Sequence, residues 1–124
     1  MFTAVLVAVS LAGTAPAERV LTKADSGTTV TIAANEQLEI ELSECRTCGY
    51  RWKTTAKPDP RVLTRRPQGR KDPACQPPSC IGGSSTTVFR YTGDGIGRTR
   101  IRLQYFGPGQ SKASGTFRVT VRVR

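Results

Sequence analysis

Phe117-Arg118-Val119-Thr120-Val121-Arg122-Val123-Arg124 alternates apolar and polar residues without a break. Successive side chains on a β-strand point to opposite faces, so the run predicts a strand with Phe117, Val119, Val121 and Val123 inward and the arginines outward. The same period recurs upstream. Ile101, Leu103 and Tyr105 alternate with Arg100, Arg102 and Gln104 in Arg98–Tyr105, and Leu38, Ile40 and Leu42 alternate with Gln37, Glu39 and Glu41. Thr86–Thr92, Tyr50–Thr55, Thr28–Ala33 and Arg19–Lys23 read as further strands, and Arg61–Arg65 as a brief one. Asp25-Ser26-Gly27 and Gly93-Asp94-Gly95-Ile96-Gly97 supply turns between them. Pro67 to Gly83 is Pro- and Gly-rich and reads as a long loop. The expectation is an all-β chain, an immunoglobulin-like sandwich of about seven to eight antiparallel strands. The arginines on the last two strands would also discourage edge-to-edge aggregation.

The chain has 124 residues, room for one domain and one core. Met1 to Ala17 is apolar and ends in Ala15-Pro16-Ala17, a pattern a signal peptidase could cut before Glu18. Residues 1–17 are therefore expected to be a removed secretory signal and 18–124 the domain, secreted or held in the cell envelope. The apolar part is too short to span a membrane, which takes about 20 residues.

Export suits the four cysteines, Cys45, Cys48, Cys75 and Cys80. Two disulfides are expected, and three pairings remain open. A zinc site is disfavoured because Cys75 and Cys80 are five apart and the chain has no His. A thioredoxin-like redox pair would need a βαβ setting that the strand pattern does not offer.

The net charge is +10, unevenly spread. Residues 1–44 carry a net −4 and residues 45–124 a net +14. Such a surface attracts acidic partners, but the arginines alternate along strands and do not cluster with exposed aromatics as a nucleic-acid platform would. No nucleic acid is expected. Without His, there is no imidazole base and no Ser-His-Asp triad. The carboxylates fall mostly on early strands read as solvent-facing. Gly93–Gly97 joins two strands and opens no helix, so it is no phosphate cradle. An enzyme is not expected, and neither is a metal or cofactor.

Against this background the order of three loops is specific. Cys45-Arg46-Thr47-Cys48-Gly49-Tyr50-Arg51-Trp52 concentrates two cysteines, a turn glycine, Tyr50 and the only Trp. Cys80-Ile81-Gly82-Gly83 follows later, and Arg102-Leu103-Gln104-Tyr105-Phe106-Gly107-Pro108-Gly109 later still. This order resembles the chagasin family of cysteine-protease inhibitors, from about Val20 to Val123. That family has an NPTTG loop followed by an aromatic, x, Trp; then a GxGG loop; then a strand ending in Tyr-x-RPW. The first loop here keeps Thr47, Gly49, Tyr50 and Trp52, the second keeps Gly82 and Gly83, and the third keeps Leu103, Tyr105 and Pro108.

The resemblance implies an immunoglobulin-like fold and a papain-like cysteine protease as partner, with the inhibitor taken as a monomer. Three neighbouring loops would fill the protease cleft: Arg46, Thr47, Cys48, Gly49 and Tyr50 in the first, Ile81, Gly82 and Gly83 in the second, Phe106, Gly107 and Pro108 in the third. It also makes a cross-loop bridge, from Cys45 or Cys48 to Cys75 or Cys80, an attractive expectation. Trp52, Leu103 and Tyr105 are assigned to the core. The third loop departs from the family, since Gly107 and Gly109 replace an Arg and a Trp, and a loss of roughly 2 kcal/mol of binding is expected. The alternative function is a non-inhibitory envelope sandwich that holds an acidic polymer or protein through its basic face.

Overall fold

Period-two alternation becomes two packed sheets once each apolar face finds its opposite. The computed structural model describes residues 18–71 and 85–124. Eight strands form: β1 (Glu18–Leu21), β2 (Thr29–Ile32), β3 (Gln37–Glu44), β4 (Arg51–Ala56), β5 (Leu63–Lys71), β6 (Ser85–Gly93), β7 (Gly97–Phe106) and β8 (Gly115–Val123). One sheet has the order β1-β3-β6-β5 and the other β2-β8-β7-β4. Apart from a single 3-10 turn, Lys23–Asp25, no helix interrupts them among the described residues. The architecture is the expected all-β sandwich.

The core is built from the alternating residues. Leu38, Ile40 and Leu42 face Ile101, Leu103, Phe117, Val119, Val121 and Val123, all buried. Each such side chain fully buried stabilises the fold by about 1.5–3 kcal/mol. Tyr91 and Phe89 of β6 and Val62 and Leu63 before and at the start of β5 complete it.

Four expectations need correction. The pairs β1–β3 and β2–β8 are parallel, not antiparallel. The turn around Lys23–Asp25 carries the chain from one sheet to the other, so β1 and β2 never form a hairpin. Secondly, β5 runs on to Lys71, through Pro67, where a loop was expected. Pro lacks an N–H for the ladder, but β5 is an edge strand and its register slips between Arg66 and Gly69, so the defect falls where pairing is already broken. Thirdly, the carboxylates are not all solvent-facing: Glu39 and Glu44 are buried. Fourthly, β7 and β8 are the two inner strands of their sheet, so their arginines protect no edge.

Candidate functional site

Three chain segments leave the sandwich at the same end. β3 stops at Glu44, opposite Ser85 at the start of β6, and Lys71 at the end of β5 lies beside Thr86. In the other sheet Arg51 pairs with Phe106, and Tyr105 with Gly115. The β3–β4 loop (45–50) and the β7–β8 loop (107–114) therefore emerge together, and the chain on either side of residues 72–84 reaches the same end. Ile81, Gly82, Gly83, Cys75 and Cys80 lie outside the described residues.

The first loop is closed on itself several times. Cys45 and Cys48 are disulfide-bonded, with Cα atoms 5.2 Å apart. This excludes the expected cross-loop bridge, since both first-loop cysteines are satisfied by each other across a turn short enough to bring them together. Gly49 N–H donates to the Arg46 carbonyl at 3.0 Å and Tyr50 N–H to the Cys45 carbonyl at 3.0 Å. Gly49 sits at φ +82°, a left-handed conformation that favours glycine. Arg46, Thr47, Cys48 and Gly49 form an exposed crown, while Tyr50 is half-buried.

Below the crown lies Glu44. Its carboxylate forms ion pairs with Arg51 Nε at 3.6 Å and Arg46 Nε at 3.9 Å. Burial raises its pKa above the ordinary 4.5, and the two guanidiniums only partly offset this. Arg51 also donates through Nη1 to the Tyr50 carbonyl at 2.8 Å and the Arg46 carbonyl at 3.3 Å. A buried acid thus holds both ends of the loop through two arginines. Sequence reasoning missed it because Glu44 follows the alternation of β3 on its inward side, and only the arriving arginines make that tolerable.

The first and third loops are joined by aromatic rings. Tyr50 and Tyr105 stack with centroids 5.1 Å apart, and Trp52 packs against Tyr105 at 4.9 Å. Tyr105 accepts from Cys45 N–H at 2.9 Å through its hydroxyl, and Trp52 Nε1 donates to the Ser43 carbonyl at 2.9 Å. The first ties the base of the β3–β4 loop to β7, and the second links the two sheets. Trp52 is buried as expected, whereas Tyr105 is only half-buried and acts as the strut between loops.

Gly49 abuts Pro108: a Cβ placed on Gly49 would stand 3.2 Å from the proline Cβ. Gly107 is buried, and a Cβ there would stand 2.6 Å from Gln110 Oε1 and 3.0 Å from the Tyr50 ring. Gln110 Oε1 accepts from Gly107 N–H at 3.1 Å and from the Ser114 hydroxyl at 3.2 Å, which folds the third loop inward. Phe106 is half-buried, with Lys53 Nζ 5.7 Å from its ring centroid. The described residues hold no cluster of His, Cys, Asp and Glu that could bind a metal ion.

The chain matches the profile of the chagasin family peptidase inhibitors, I42, over residues 31–121. Among solved structures it is similar to the cysteine protease inhibitor EhICP2 from Entamoeba histolytica, with a TM-score of 0.75 and 21% identity over 90% of this chain and 100% of that one. It is also similar to amebosin, with a TM-score of 0.68 and 29% identity over 88% of this chain and 99% of that one. PbICP-C, solved in complex with falcipain-2, aligns with a TM-score of 0.50 and 17% identity over 87% of this chain and 88% of that one. No curated protein sequence matches the chain.

Proposed function

The chain belongs to the chagasin family of peptidase inhibitors, and from that membership we propose that it blocks the active-site cleft of a papain-like cysteine protease with the loops at one end of its sandwich. The observation that carries this reading is the joined pair of exposed loops: the disulfide-closed crown Arg46–Gly49 resting on Pro108, with Tyr50 stacked on Tyr105.

The inhibitor needs no chemistry of its own. It presents a convex ridge to a concave cleft, and its affinity depends on how little freedom that ridge loses on binding. The disulfide, the two turn hydrogen bonds and the Glu44–Arg51 contact all restrict the crown before any protease arrives. Arg46, Thr47, Cys48 and Gly49 enter the cleft, Tyr50 supports them, and Phe106, Gly107 and Pro108 meet one wall. Ile81, Gly82 and Gly83 meet the other. The protein acts outside the cytoplasm, as the apolar N-terminal segment and the disulfide suit.

Titration of papain with the purified protein tests the reading. Stoichiometric, active-site-directed loss of activity at or below micromolar inhibitor is expected. No inhibition at micromolar concentration by a folded sample would overturn it.

A further inference from the structure

Charge is segregated between the two sheets. The strands β1, β3, β5 and β6 carry Glu18, Glu39, Glu41 and Glu44, and their cations are partly neutralised, Arg90 by Glu39 at 3.2 Å and Lys71 by Glu41. The strands β2, β4, β7 and β8 contain no Asp or Glu at all. Apart from Arg51, which pairs with Glu44 at the loop end, their outward positions hold Lys53, Arg98, Arg100, Arg102, Arg118 and Arg122, with Thr29, Thr31, Thr55, Thr116 and Thr120 between them. Among the described residues no carboxylate pairs with any of the five arginines.

The register makes this arrangement costly. Arg98 stands directly opposite Arg122, and Arg102 opposite Arg118. Like charges directly opposite on neighbouring strands destabilise a sheet. Defence of an exposed edge does not explain them, because β7 and β8 are inner strands. An anion laid across the strands relieves the repulsion.

We propose that this face binds an anionic polysaccharide, of the sulfated or uronate type. Outward residues two apart on a strand are about 6.7 Å apart, so Arg98, Arg100 and Arg102 form a row of regularly spaced cations, and Arg118 and Arg122 form a second row beside it. Arg100, Arg102 and Arg118 border a hollow of about 400 Å³ that also reaches Gly27, Thr28 and Thr120. Guanidinium forks match sulfate and carboxylate oxygens, and the threonine hydroxyls match sugar hydroxyls. Phe106, at one end, is the only outward ring, so the face offers no stacking platform for bases. Among the described residues the large apolar side chains exposed are Val20 on the other sheet and Ile96 in the turn before β7, too few to wedge this face into a bilayer. This site is separate from the loop ridge and does not depend on the inhibitor reading.

The test is binding of a fluorescent heparin oligosaccharide to the full chain at several salt concentrations, with neutral dextran and a DNA duplex of matched charge as comparators. Submicromolar heparin binding at low salt, falling steeply with added NaCl, is expected, with none to dextran. The triple variant Arg98→Gln, Arg100→Gln, Arg118→Gln should lose about 30-fold in affinity and reduce the slope against log salt by about 3. Arg19→Gln, Arg65→Gln, Arg66→Gln, an equal charge loss on the other sheet, should change affinity by about 3-fold or less. Equal losses in both triples, or no heparin binding, would overturn the proposal, and so would tighter binding of the duplex through the same arginines. Thermal melting and far-UV circular dichroism of each variant show that it remains folded.

Discussion

Gly107 and Gly109 stand where related loops carry an Arg and a Trp, and the surroundings of Gly107 show that the difference is built in. Gln110 Oε1 and the Tyr50 ring occupy the space a side chain there would need. Gly107→Arg is therefore expected to displace the Tyr50–Tyr105 stack, cost about 1–3 kcal/mol in stability as overpacking does, and weaken papain inhibition instead of restoring a missing anchor. Urea unfolding and an inhibition titration check this. Gly49 is constrained twice, by its φ of +82° and by Pro108. Gly49→Ala should cost about 1–2 kcal/mol and raise the inhibition constant by separating the loops. Glu44 carries the pH dependence. Its folded-state pKa is raised by burial, so the folded protein binds more protons than the unfolded chain above pH 4.5. Its contribution is most favourable below that value and is lost as pH rises through the folded pKa. Glu44→Gln should remove this fall in stability between acid and neutral pH, seen by comparing urea midpoints, while loosening Arg46 and Arg51 and so weakening inhibition.

At the scale of elements, the first loop is a turn held at both ends, and its disulfide is the covalent part of that restraint. Closing so short a ring restricts the unfolded chain by an amount equivalent to about 2 kcal/mol. Cys45→Ser, Cys48→Ser should lower stability by about that amount and raise the papain inhibition constant, because the crown then has freedom to lose on binding. Thermal melting and inhibition assays measure the two effects separately. The strands β3, β4, β7 and β8 follow the period-two pattern closely, with Leu38, Trp52, Ile101 and Val121 inward as the alternation requires, whereas β6 buries Val88 on the opposite side from Phe89 and Tyr91. β5 does not, since Thr64 to Lys71 has no apolar face and includes Pro67. It exists because β6 offers a free ladder edge and because Gln68 Nε2 reaches Thr87 Oγ1 at 2.8 Å. An edge strand that buries little apolar surface leaves little periodic signal to read.

For the whole molecule, a net charge of +10, with opposed arginines on a sheet that has no carboxylate, makes stability depend on salt. Raising NaCl from 20 to 200 mM should screen the opposed arginine pairs and stabilise the fold by about 1 kcal/mol, measured as a shift in urea midpoint, with most of the effect gone in the Arg98, Arg100, Arg118 variant. Local pattern was enough to announce the fold class, the inward residues of most strands and the family of the loops, because side-chain alternation and turn composition act within a few residues. The parallel pairs that tie β1 and β2 to different sheets were not legible, since strand pairing joins residues far apart in the chain. Nor was the meeting of Gly49 with Pro108, or of Tyr50 with Tyr105, which are 59 and 55 positions apart in the sequence. Glu44 falls on the inward side of the β3 alternation, and only the tertiary structure brings Arg51 and Arg46 to its carboxylate. The arginines of β7 and β8 read as protection for an edge, and only the sheet order placed them on inner strands. Alternation says which way a side chain points relative to its own strand; which strand lies next to it, and therefore whether a charge is paired, buried or opposed, is decided by packing between distant segments.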